Sequence, residues 1–162
     1  MAFGNFVQAA TAVDGNNTVV TIGGAGFASN VTAGNLLVLF LRIGGASPSP
    51  SVTSNSTPAT FTKAVEQVQT SDGHKSFIFY GLNQAGGVKP TITITISPSA
   101  SIRALLCEYS GDANTVLDVV ASAQQDAPGT GANACTTGAT STRASARATP
   151  IPSTPSPTSR SV

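Results

Sequence analysis

Pro90-Thr91-Ile92-Thr93-Ile94-Thr95-Ile96-Ser97-Pro98 decides the fold class. In an extended strand Ile92, Ile94 and Ile96 share one face, and Thr91, Thr93 and Thr95 share the other. Both residue types are β-branched and stiff at χ1, so they suit a pleated surface better than a helix. A period of two, closed by proline at each end, predicts a strand with one face in a core and one in water.

Working outward, the same patterning predicts strands at Phe3–Ala10, Thr18–Gly23, Leu36–Ile43, Thr60–Thr70, Lys75–Leu82, Thr91–Ser97, Ile102–Ser110 and Val116–Ser122. Turn signals divide them at Asp14-Gly-Asn-Asn17, Gly23-Gly-Ala-Gly26, Pro48-Ser-Pro50, Ser71-Asp-Gly73, Ala85-Gly-Gly87 and Gly111-Asp112. Asp72-Gly73 reads as a tight type I′ hairpin. No segment carries a sustained helical period. Leu36–Leu41 and Phe77–Tyr80 are apolar on both faces, as expected of central strands or of strands covered by a loop or a neighbouring subunit. Short strands at regular spacing predict an all-β antiparallel β-sandwich, jelly-roll-like, with at least seven strands over residues 3–122.

The chain divides into a β-sandwich domain, 1–134, and a Pro/Ser/Thr/Arg-rich tail, 135–162. The tail has no acidic residue, and Arg143, Arg147 and Arg160 make it +3. Residues 1–134 hold five basic and seven acidic residues, hence −2. Pro150, Pro152, Pro155 and Pro157 favour extended backbone, and so few apolar residues cannot offset the entropy of ordering. The tail is expected to form no core of its own, whether as an extended arm or as an out-of-frame ending.

Only 9% of the residues are charged, against roughly 25% in an average globular protein. The surface is therefore written in Ser, Thr, Asn, Gln and Gly, as in many extracellular and particle-surface β proteins. A formal net charge of +1 without a basic cluster argues against nucleic acid. The longest apolar run, Leu36–Leu41, is far short of a membrane span, so no membrane insertion is expected. Met1-Ala-Phe-Gly-Asn-Phe6 shows no secretory leader. Cys107, in an apolar strand, and Cys135, in the tail, are expected as free thiols.

No catalytic, cofactor-binding or metal-ligating residue emerges, and no cofactor is implied. His74 is expected as a solvated turn residue without an orienting partner. Glu66 likewise has no identifiable partner. Asp112 and Asp118 lack the third ligand, the glycine and the terminal Glu of a calcium loop. Gly23–Gly26 opens no helix, so it is no phosphate cradle. Asn16, Asn30 and Asn55 match a glycosylation pattern that arises by chance in such a chain.

Glu108 shares a strand face with Ala104 and Leu106, whereas Arg103 points the other way with Cys107 and Tyr109. The preferred reading is an internal ion pair of Glu108 with Arg42 or Arg103. A glycosidase carboxylate is the alternative, with Glu66, Asp112 or Asp118 as its second carboxylate. No spacing pairs these residues.

Ile102-Arg-Ala-Leu-Leu-Cys-Glu-Tyr-Ser-Gly111, followed by Val116-Leu-Asp-Val-Val-Ala-Ser-Ala123, resembles a recurring β-sandwich module of bacterial surface proteins and phage structural proteins. Asn30-Val-Thr-Ala-Gly-Asn-Leu-Leu-Val38 and Ser71-Asp-Gly73 fit the same module over about residues 3–134. Its members usually continue with further strands where this chain has its tail. The resemblance implies a fold and no residue roles. The leading expectation is a non-catalytic structural or surface protein: a virion decoration or fibre subunit, or a cell-surface module, on a virion or extracellular surface. Its partners would be copies of itself or a particle or surface protein. The alternative is a carbohydrate-binding module with glycans as partners, although the absence of Trp and the presence of only two tyrosines count against it.

Overall fold

The computed structural model describes residues 5–45, 49–56, 60–69, 72–82 and 84–110. The predicted strand Val116–Ser122, the acids Asp112 and Asp118, Cys135 and the tail lie outside the described residues. Among the described residues six strands form: β1 (Phe6–Gly23), β2 (Leu36–Ile43), β3 (Ser51–Ser54), β4 (Thr62–Val68), β5 (Lys75–Gly81) and β6 (Thr91–Tyr109). The only helical element among the described residues is a 3₁₀ turn, Gly24–Gly26. The all-β, antiparallel class is as expected. The six strands are hydrogen-bonded into one sheet, in the order β1-β6-β2-β5-β4, with β3 pairing β6.

Two pairs of predicted strands turn out to be continuous. Asp14-Gly-Asn-Asn17 reads as a turn, yet it lies inside β1 as an irregularity between Asp14↔Ile102 and Asn17↔Ala100. Asn16 there takes φ 66°. On the partner, Ile96–Ser99 lies opposite Thr18 alone, between Asn17↔Ala100 and Val19↔Thr95. The extra residues on each strand let the ribbon continue past both expected breaks. The long β1–β6 ribbon runs from Gly23↔Thr91 to Phe6↔Tyr109. Its two halves take different third strands: residues 102–109 of β6 pair β2, and residues 92–95 pair β3.

Alternation then decides what is buried. Leu37, Leu39, Leu41 and Ile43 of β2 line up beside Leu106, Ala104 and Ile102 of β6 and beside Phe77 and Phe79 of β5. Ile92, Ile94 and Ile96, with Val20, Ile22 and Val52, join them in one core. Ile92 and Ile94 are fully buried, each contributing roughly 1.5–3 kcal/mol. β2 and β5 are interior strands, which accounts for their two-sided apolar sequences.

Two turns hold this arrangement. Gly23 has φ 89°, and a Cβ there would fall 2.3 Å from the Pro90 carbonyl oxygen. Only glycine permits that approach, and the Gly24 N–H then donates to the same oxygen at 2.9 Å. The β4–β5 hairpin is not the two-residue type I′ turn expected. It closes on Gln69 N–H to His74 C=O at 2.8 Å, and Gly73 N–H donates to Gln69 C=O at 2.9 Å. Four residues therefore separate the closing pair.

Candidate functional site

Glu108 is fully buried on the inner face, opposite Gln8 of β1 and Leu37 of β2. Its Oε2 accepts from Gln8 Nε2 at 2.6 Å. Its Oε1 accepts from Asn35 Nδ2 at 2.6 Å and from the Thr32 N–H at 2.9 Å. Gln8 also bonds Ser29 twice: Nε2 donates to the Ser29 carbonyl and Oε1 accepts the Ser29 N–H, both at 3.0 Å. One carboxylate thus fastens the segment Ser29–Asn35 to the ribbon, using neutral N–H donors.

The expected ion pair of Glu108 with Arg42 or Arg103 does not form. Both arginines are exposed on the outer face, and β2–β6 register sets them directly opposite each other. The described residues in register with Glu108 are Gln8, Leu37 and Gly81, none of them a cation. The glycosidase alternative also lacks its second carboxylate among the described residues, since Glu66 is on the edge strand β4. Glu66 is in fact paired, contrary to expectation: Lys63 Nζ lies 2.6 Å away, Lys75 Nζ 3.5 Å, and Ser49 Oγ donates at 3.1 Å. The Lys63 contact holds its pKa below the ordinary 4.5.

His74 also has a neighbour that the sequence did not reveal. Its Nδ1 sits against Asp72 Oδ2, and its backbone N–H donates to Asp72 Oδ1 at 3.0 Å. That backbone bond lowers the Asp72 pKa. A Cβ added to Gly44 would meet Ser101 Oγ at 2.5 Å and His74 Nε2 at 3.5 Å. No hydrogen bond joins Ser101 to His74 among the described residues. Among the described residues, no three His, Cys, Asp or Glu side chains group to hold a metal. Gly23–Gly26 directs its Gly24 N–H at Pro90, as a turn does. Cys107 is a buried free thiol, and desolvation raises its pKa.

The second feature is the outer face, for which only the two-sided apolar pattern of β2 and β5 gave a sign. Two transverse rows cross it. Register aligns Thr11, Leu105, Phe40, Ile78 and Val65 in one row. Two residues along, it aligns Val13, Arg103, Arg42, Ser76 and Gln67. Between them runs an open groove of about 600 Å³. Val13 is 76% exposed, and Phe40 and Leu105 are each 38% exposed. Asp72 feels the Arg42 charge. Yet among the described residues no carboxylate lies within ion-pairing distance of either arginine. Like charges directly opposite in a ladder destabilise it.

Fold and sites together define an all-β protein with a buried polar anchor and an apolar–cationic sheet face that none of the described strands covers. No family model, no curated protein and no solved structure matches the chain.

Proposed function

We propose that this chain is a non-catalytic structural protein that works by packing against copies of itself or against a partner on a particle or surface. The reading extends to a virion decoration or fibre subunit, or a module of a cell surface. The outer sheet face carries it: Phe40, Leu105 and Val13 stand exposed together beside Arg42 and Arg103. Contiguous apolar surface rimmed by polar groups is the mark of an interaction site. The Glu-Tyr-Ser-Gly and Leu-Asp-Val stretches, with their likeness to a β-sandwich module of surface and phage structural proteins, support the same reading.

The test is the solution mass of the full chain and of Phe40→Asp by light scattering, together with binding to an immobilised glycan panel. Packing predicts association that Phe40→Asp weakens while the fold is kept. A monomer at every concentration that retains glycan binding would replace this reading with a carbohydrate-binding module.

A further inference from the structure

We draw no further inference here: the strongest candidate, the groove on the outer sheet face between the Phe40–Leu105 and Arg42–Arg103 rows, carries nothing because nothing in the structure shows what covers it.

Discussion

Replacing Glu108 with glutamine removes one charge and exchanges one acceptor for a donor inside the anchor. Oε1 receives two donors, Asn35 and Thr32, and Oε2 receives Gln8. A glutamine keeps its single oxygen best where the two donors converge. Its NH₂ then faces Gln8 Nε2, donor against donor. Gln8 cannot turn its amide without breaking both bonds to Ser29. A hydrogen bond to a charged acceptor is worth about 1.5–3 kcal/mol, and a stranded buried donor costs about 1–3 kcal/mol. Against this, a neutral side chain escapes the burial cost of a carboxylate. The expected net loss is about 1–3 kcal/mol. At roughly 2–4 °C per kcal/mol for a chain of this size, the Tm falls by about 2–12 °C. The assay is calorimetry or circular dichroism, with urea titration for the free energy. A double-mutant cycle with Gln8→Leu should return a coupling of about 0.5–3 kcal/mol. A Glu108→Gln variant that melts at or above the wild type would refute the anchor. An unchanged melt with loss of a measured activity would refute the structural role.

Three further outcomes are expected. Gly23→Ala should destabilise by about 2–4 kcal/mol in a urea titration, because it adds a positive-φ penalty to a backbone clash with Pro90. Glu66→Gln should cost no more than about 1 kcal/mol at pH 7, as exposed ion pairs do. The folded pKa of Glu66 lies below 4.5. Its stabilisation is therefore present above that value and lost as pH falls through the folded pKa, so wild type and variant should melt together at low pH. A chain ending at Ala134 should melt as the full chain does; weakened association would assign residues 135–162 as a linking arm, and failure to fold would overturn the tail's exclusion from the core.

Much of the fold was legible because the period-two pattern is local. Leu36–Ile43 reads from sequence with the bounds the structure gives. The expected breaks at Asp14–Asn17 and Pro98 misled because local turn chemistry cannot reveal irregularities that fit each other across two strands. β3 was missed because Ser51–Ser54 is short and carries one apolar side chain. The opposite facing of Glu108 and Arg103, which share one strand, was readable by parity, whereas that of Arg42 depends on the β2–β6 register, which no local pattern reveals. The true partners of Glu108 were not readable. Gln8 lies 100 residues away and Asn35 73 residues away, and neutral amides leave no charge signature in a sequence rich in them.

The β1–β6 ribbon also sets the order in which the molecule can assemble. Phe6 pairs Tyr109, so the first strand waits for nearly the last described residue before it has a partner. The β4–β5 hairpin closes over a few residues and can form early. During synthesis β1 leaves the ribosome as a lone strand and stays so until β6 follows. Any truncation before β6 is complete should therefore yield aggregation-prone fragments rather than a smaller version of the fold.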